Sequence, residues 1–171
     1  MIEFLQKNPA LPIYIISAII AFLSYLFQVK LARVKHSIDF QNSYHDSKDL
    51  MASIAKVKEL STLNKDEITA LAINGNQDVV TILNTWERAA IAIKKSIYDE
   101  EVLYLAYGTT VIQLWTKLSP FIKKRQEKNP RLYVNFDWLA VKWMAKRNES
   151  KSKSELKKLK EIQSLIKKLN C

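Results

Sequence analysis

No charged residue occurs between Asn8 and Val29, and from Leu11 onward this stretch is almost entirely apolar or small. As a helix, the nineteen residues from Leu11 to Val29 rise about 28 Å, close to the roughly 30 Å hydrocarbon core of a bilayer. A buried core helix is the weaker interpretation, because charge-free runs of this length are rare in domains this small. We therefore predict a transmembrane helix over residues 10–29, after a short extracytoplasmic N-terminus of residues 1–9.

The charges beside this helix indicate its direction across the membrane. Only Glu3 and Lys7 precede it, whereas a juxtamembrane basic group of Lys30, Arg33 and Lys35 follows it. A cleaved signal peptide needs a basic region before the apolar run and a small-x-small site after it, and these flanks lack both. Cytoplasmic flanks carry the excess of Lys and Arg. We therefore expect a single-pass protein of the bacterial inner membrane, with its N-terminus outside and its C-terminal domain cytoplasmic.

One face of the predicted membrane helix carries small or polar side chains at helical spacing. This pore or oligomer stripe consists of Tyr14, Ser17, Ala21, Ser24 and Gln28. Such residues let helices approach closely and hydrogen-bond within lipid, which favours a homo-oligomer whose inward stripe lines a pore. A lone anchor is the alternative, because a Ser hydroxyl can bond to its own helix.

Beyond the membrane helix the sequence has helical periodicity and no strand-like alternation, so we predict an all-α fold. The helix should continue as a juxtamembrane stalk over residues 30–46, followed by a cytoplasmic helical bundle over residues 47–147. Within the bundle, Asn64-Lys-Asp-Glu67 predicts a capping box and Gly75 the end of the same helix. Pro120 is expected to kink or end a long helix.

Residues 148–171 differ in composition from the bundle. They begin with a solvated linker rich in Ser and Lys and continue with apolar residues at heptad spacing among lysines. The apolar positions are Leu159, Ile162, Ile166 and Leu169. This pattern predicts an amphipathic basic tail helix, either a short coiled coil or a surface-docking segment.

The net charge of +10 is concentrated in the last third of the chain. Residues 1–29 are neutral and residues 30–116 have a net charge of −1, whereas residues 117–171 hold sixteen basic and five acidic residues. Anionic lipid, RNA and an acidic protein are the partners that such a surface attracts, and a merely solvated face is the alternative. The predicted basic partner surface consists of Lys123, Lys124, Arg125, Lys128 and Arg131.

The sequence offers few residues for catalysis. Gly75 and Gly108 lie 33 positions apart, so neither a dinucleotide fingerprint nor a phosphate-binding loop can form. One Cys and two His cannot supply a zinc tetrad. His36 follows Arg33 too closely for the arginine–histidine motif of helical ribonucleases. We therefore expect no enzyme, no catalytic residue, no metal, no cofactor and no small-molecule substrate.

Four polar residues of the predicted bundle have two interpretations. They are Asn84, Glu87, Arg88 and Asn135. A degenerate nuclease would use the first three, whereas an internal polar network would use all four to hold the helices together. We favour the network, because satisfied polar networks stabilise cores and a Glu beside an Arg is ordinary helical structure.

Three segments resemble a widespread uncharacterised bacterial family. They are Ile82-Leu-Asn-Thr-Trp-Glu-Arg88, Asp99-Glu-Glu101 and Asn135-Phe-Asp-Trp-Leu139, in this order. Family members have one N-terminal transmembrane helix and a cytoplasmic helical domain. The layout also resembles the membrane accessory proteins of type VI-B CRISPR systems, which have a divergent HEPN-like domain and act with an RNA-guided RNA nuclease in phage defence. That second resemblance implies membrane permeabilisation through an oligomeric pore rather than RNA cleavage.

Two functional hypotheses follow. The first is a membrane-anchored, oligomeric accessory effector that forms a regulated pore in CRISPR-linked antiphage defence. The second is a membrane-tethered binding module whose basic surface recruits RNA or a nucleoprotein without pore activity. The expected partners are membrane lipid, further copies of the chain, and an RNA-guided RNA nuclease or RNA.

Overall fold

The computed structural model describes residues 11–149, and every regular element among them is helical. The predicted all-α fold is therefore confirmed, whereas the predicted N-terminus over residues 1–9 and the tail after residue 149 lie outside the described residues. The elements of the described part are α1 (Leu11–Asp46), α2 (Lys48–Glu59), a short 3-10 helix (Leu60–Thr62), α3 (Lys65–Asn74), α4 (Gln77–Lys94), α5 (Glu100–Gln126) and α6 (residues 134–149).

The first half of α1 stands apart from the bundle. Every side chain from Ile13 to Gln28 is exposed, including eleven large apolar ones. By length and composition α1 can cross a membrane, and its apolar window has no residue buried inside the structure. An exposed apolar surface of this size needs a bilayer or a partner to cover it.

The second half of α1 packs into the bundle. Tyr44 is buried, Phe40 is half-buried, and the fully buried Ser37 accepts a hydrogen bond at 2.8 Å from the backbone N–H of Asp99. In the segment over residues 30–46, which the sequence predicts as a stalk, one face thus packs against the bundle from Ser37 onward, while most of the other side chains are exposed. The packing fixes the direction of the apolar half relative to the bundle.

The ends of α3 follow the sequence signals. The Asn64 side chain accepts hydrogen bonds from the backbone N–H groups of Asp66 and Glu67 at 2.9 and 3.0 Å, and the Glu67 carboxylate accepts one from the Asn64 N–H at 2.6 Å. Gly75 ends the helix with a φ of 73°, a left-handed conformation that glycine adopts without strain.

Pro120 lies inside α5 and does not end it, since the helix continues to Gln126. The neighbouring Leu118, Phe121 and Ile122 are buried in the core. Their burial offsets the hydrogen bond that the missing proline N–H cannot make.

An aromatic cluster forms the centre of the core and joins α1 to α4 and α5. Trp86 on α4 is fully buried, with its ring centre 5.3 Å from Tyr107 and 5.8 Å from Phe40. The rings of Tyr44 and Tyr107 lie 5.0 Å apart, and Tyr107 Oη lies 3.2 Å from His45 Nε2. Aromatic pairs at these separations stabilise a core beyond their buried area alone.

Tyr107 makes this core sensitive to alkaline pH. Burial, and secondarily the neighbouring Tyr44, raises the pKa of Tyr107 from 10.0 to about 12. The folded protein thus holds this proton more tightly than the unfolded chain does, so the associated stability is complete below about pH 10 and is lost as the pH rises through about 12. We expect the Tm to fall over this interval and to fall less in the Tyr107→Phe variant. An equal fall of the Tm with pH in both proteins would contradict the assignment of this pH dependence to Tyr107.

The contacts between α1 and α5 define two ends of the bundle. The two helices run parallel here, because Ser37 lies beside Asp99 and His45 lies beside Tyr107. The end around Asp99, where the apolar half of α1 leaves the bundle, is called the membrane-facing end. The end around Gln126, where α5 finishes, is called the far end.

The last helix, α6, returns from the far end toward the membrane-facing end. Near its start, Asp137 accepts a hydrogen bond from the Trp115 indole at 2.8 Å. Near its end, the Trp143 indole donates to Glu100 at 3.2 Å, at the start of α5. The helix therefore runs antiparallel to α5.

Candidate functional site

Three cavities lie along one side of α5. The largest, about 430 Å³, is bounded by α2 and α5, and its lining includes Ile54, Val57 and Leu114. The second, about 210 Å³, lies beside the start of α3, and the third, about 360 Å³, lies toward the far end. By residue type, the lining changes from mainly apolar in the first cavity to mainly polar in the third.

The three cavities form one continuous surface. The first and second share Lys117, and the second and third share Lys65 and Pro120. This surface, called the α5 groove, extends along the helix from Thr110 to Glu127, a length of about 26 Å at the rise of an α-helix. It is long enough to accommodate an extended chain.

Lysines occur along the whole α5 groove. The lining lysines are Lys58, Lys65, Lys117, Lys123 and Lys124. Among the described lining residues the one carboxylate is that of Glu127, which pairs with Lys124 at 2.6 Å. Lys117 donates to the carbonyl oxygen of Leu63 at 2.6 Å, which ties α5 to the segment before α3. The groove therefore has an excess of positive charge.

Only part of the predicted basic partner surface lies in this groove. Lys123 and Lys124 line it, whereas Lys128 and Arg131 are exposed in the turn between α5 and α6. Arg125 lies near Tyr133, where its guanidinium offsets part of the rise in the pKa of Tyr133 that burial causes. The predicted surface thus divides among the groove, the turn and the neighbourhood of Tyr133.

Three groove lysines lie outside the predicted surface. Lys58 belongs to α2, Lys65 begins α3, and Lys117 lies one helical turn before Pro120 in α5. The capping box at Asn64 gives the start of α3, but no local signal says that this start packs beside α5. Only the folded arrangement brings the three together.

The predicted polar network divides in a similar way. Glu87 accepts hydrogen bonds from the Asn135 side chain and the Phe136 backbone N–H, both at 2.7 Å, and from the Asn135 backbone N–H at 3.3 Å. Its carboxylate thereby caps the first turn of α6. Asn84 and Arg88 are exposed and belong to the surface rather than to this contact.

The predicted membrane-proximal residues lie on α1 and away from the α5 groove. The pore or oligomer stripe, which includes Ser17 and Gln28, is exposed along the apolar half of the helix. Lys30 and Lys35 are exposed, whereas Arg33 is half-buried and its Nε makes no hydrogen bond among the described residues. These residues line no cavity of the groove.

Within residues 11–149, no group of three or more His, Cys, Asp or Glu side chains could hold a metal ion. Both histidines lie on α1, His36 exposed and His45 beside Tyr107. The expected absence of catalysis stays a prediction.

A family described as a domain of unknown function, DUF4760, matches residues 13–143. The chain belongs to the DUF4760 family. The DUF4760 match begins in the apolar half of α1 and reaches Trp143, so it covers the membrane-length helix together with the bundle. The expected membership of an uncharacterised family is confirmed, and the resemblance to CRISPR accessory proteins stays a prediction. Neither the search of curated proteins nor that of solved structures found a significant match.

Proposed function

We propose that this protein is a membrane-tethered binding module that captures an acidic macromolecule in the α5 groove. The apolar half of α1 anchors it in the bacterial inner membrane with the N-terminus outside, and the bundle lies in the cytoplasm. The observation that carries the proposal is the α5 groove, where five lysines and one carboxylate occur along one continuous surface. Clefts of one sign of charge concentrate partners of the opposite sign.

The position of the groove argues against the bilayer as its occupant. Lys123 lies 24 residues beyond Asp99, which is about 36 Å along α5. Ser37, level with Asp99, itself lies about 12 Å beyond Val29 along α1. Even at a tilt of about 40°, the upper end of the usual range, Lys123 stays tens of ångströms from the headgroups. At physiological salt, attraction between exposed charges is largely screened beyond about 8 Å.

The lining of the groove favours an extended acidic protein segment over RNA. Proteins hold single-stranded RNA by stacking its bases on accessible aromatic rings. Among the described lining residues the one aromatic is Tyr44, which is 5 % exposed. Ile54 and Val57 lie near Lys58 at the apolar end, an arrangement that suits an apolar anchor flanked by carboxylates.

Binding to two defined polyanions tests the proposal. The full chain in nanodiscs of neutral lipid would be titrated with fluorescent poly-L-glutamate and with poly-U RNA at several salt concentrations. We expect poly-L-glutamate to bind more tightly and its affinity to fall as salt rises. If poly-U bound more tightly, RNA rather than an acidic protein segment would be the partner. If neither polyanion bound at low salt, the proposal would be overturned.

An oligomeric pore in antiphage defence is a second candidate function, supported by the exposure of the whole apolar half of α1. Ser17, Ala21 and Ser24 are available there to a second copy, and small residues let membrane helices pack closely. This candidate predicts oligomers in detergent and a fall in membrane potential when the protein is expressed with its RNA-guided nuclease. A monomer that leaves the potential unchanged would exclude it.

A further inference from the structure

The last helix, α6, is apolar on the side that faces away from the core as well as on the side that faces it. Its fully buried residues Phe136, Leu139 and Trp143 lie in the core. On the opposite side, Val134 and Val141 are 45 % and 52 % exposed. A surface helix ordinarily carries polar residues on its outer side, and a helix that is apolar all round is normally covered. Among residues 11–149, nothing covers this side of α6.

The outward residues of α6 recur at the spacing of a helix-pairing seam. Steps of four, three, four and three residues join them, which keeps them on one stripe about 21 Å long. This stripe, called the α6 seam, consists of Val134, Trp138, Val141, Ala145 and Asn148. Trp138 is half-buried, and the ammonium groups of Lys94 and Lys142 lie 4.6 and 5.1 Å from the centre of its ring.

The two flanks of the α6 seam carry opposite charges. On one flank, the Asp137 carboxylate accepts hydrogen bonds from the Trp115 indole at 2.8 Å and from the Gln126 amide at 2.9 Å. Both donors are neutral, so they leave the charge of Asp137 uncompensated. On the other flank, Lys142 pairs with Glu100 at 2.6 Å, but its side chain stays 47 % exposed and can contact a second carboxylate.

These flanks favour a parallel pairing of two α6 helices. In heptad terms, Trp138 and Ala145 occupy a positions and Val141 a d position. Asp137 is then a g residue, and Lys142 is the e residue five positions later. In a parallel pair, Asp137 of each copy faces Lys142 of the other, which brings opposite charges together. In an antiparallel pair, like flanks meet and the two lysines repel each other.

The membrane anchor imposes the same direction. Two copies with α1 inserted in one bilayer in the same orientation are related by a rotation about the membrane normal, so their α6 helices point the same way. The seam is short, but anchoring both copies in one bilayer raises their effective concentration, as a linker does. No residue of the α6 seam lines the α5 groove, so pairing leaves the groove open.

We propose that the α6 seam is an interface at which two copies of this chain pair in parallel, about a two-fold axis along the membrane normal. The pairing covers the exposed apolar side chains of both seams and places Asp137 of each copy beside Lys142 of the other. It depends on the membrane anchoring of α1 but not on what the α5 groove binds. Loss of groove binding would therefore leave the pairing intact, and the reverse.

Disulfide cross-linking of the full chain in vesicles of neutral phosphatidylcholine tests the pairing. Cys171, the one cysteine of the chain, is changed to Ser, and single cysteines are introduced as Val134→Cys or Val141→Cys. A parallel two-fold pair places each of these positions beside its own copy, within reach of a disulfide. We therefore expect both variants to form cross-linked dimers on oxidation.

The matched control is Ile73→Cys, an apolar position on α3 that is 67 % exposed and lies outside the α6 seam. It should form several-fold fewer dimers, from random collisions alone. Dimers at position 141 but not at position 134 would indicate antiparallel pairing and overturn the proposal. Equal cross-linking of the control, or none at either seam position, would overturn it as well.

A charge placed on the α6 seam gives an independent check. Val141→Glu, added to the Val134→Cys chain, sets two carboxylates against each other across the two-fold axis, so cross-linking at position 134 should fall several-fold. Ile73→Glu, added instead, should leave the cross-linking unchanged. Both positions are exposed, so the Tm of each variant should stay close to that of its parent. Undiminished cross-linking in the Val141→Glu chain would count against the seam as the interface.

Discussion

The free energy of unfolding should be about 3 kcal/mol lower in the Glu87→Ala variant than in the wild type, because the substitution leaves three donors at the start of α6 without their charged acceptor. Two of those donors, the Asn135 side chain and the Phe136 N–H, lie 2.7 Å from the carboxylate. The Asn135 amide is in turn fixed by Lys94, which donates to its oxygen at 2.8 Å. For a chain of this size we expect the Tm to fall by roughly 6 to 12 °C.

The adjacent Arg88→Ala change is the matched control. Arg88 is on the same helix but exposed, so its removal should alter stability by no more than about 0.5 kcal/mol. Thermal unfolding of the purified chain in detergent measures both variants. Equal losses for Glu87 and Arg88 would contradict the capping role, and a loss confined to Glu87 would explain this residue without nuclease chemistry.

Substitution of three groove lysines should weaken polyanion binding by roughly 100-fold, taking about 1 kcal/mol for each close charge contact. The variant changes Lys58, Lys65 and Lys123 to Gln. These three lysines are exposed and are spaced along the groove. The dependence of log affinity on log salt should also become shallower, since fewer counterions are displaced. Titration of poly-L-glutamate in neutral nanodiscs measures both effects.

A control variant with the same net charge as the groove variant distinguishes the effect of the groove lysines from the effect of total charge. It changes Lys35, Lys48 and Lys95 to Gln, three exposed residues that do not line the groove. We expect this control to bind within a few-fold of the wild type, because none of its lost charges lines the groove. A comparable loss in the control would mean that binding reflects overall charge.

The sequence predicted the helices better than their packing. The box at Asn64, the stop at Gly75 and the all-α class follow from local patterns, and the structure confirms all three. Of the two outcomes expected at Pro120, the end of the helix is excluded, because α5 continues to Gln126 and the burial of Phe121 and its neighbours stabilises the helix beyond the proline. Ser37 accepts a hydrogen bond from the backbone N–H of Asp99, 62 positions away, and no periodicity in the sequence indicates this contact.

The candidate site could be predicted only where its residues are neighbours in sequence. Lys123 and Lys124 stand out as part of a charge cluster, whereas Lys58 and Lys65 come from helices that only tertiary packing brings beside α5. A run of charged residues also does not indicate which side of a helix each member occupies, so the sequence alone places Arg125 with lysines from which the structure separates it. The net charge predicts a partner of opposite charge, and the fold adds the groove lysines that are distant in sequence.

Hydrogen exchange of the full chain in neutral nanodiscs, with and without saturating poly-L-glutamate, tests the central claim most directly. A partner in the α5 groove should slow exchange at the start of α3 and along α5 from Thr110 to Glu127, while the turn around Ile97 stays unchanged. Slowed exchange confined to that turn and the end of α6, or no change anywhere, would contradict the assignment of the groove as the binding surface.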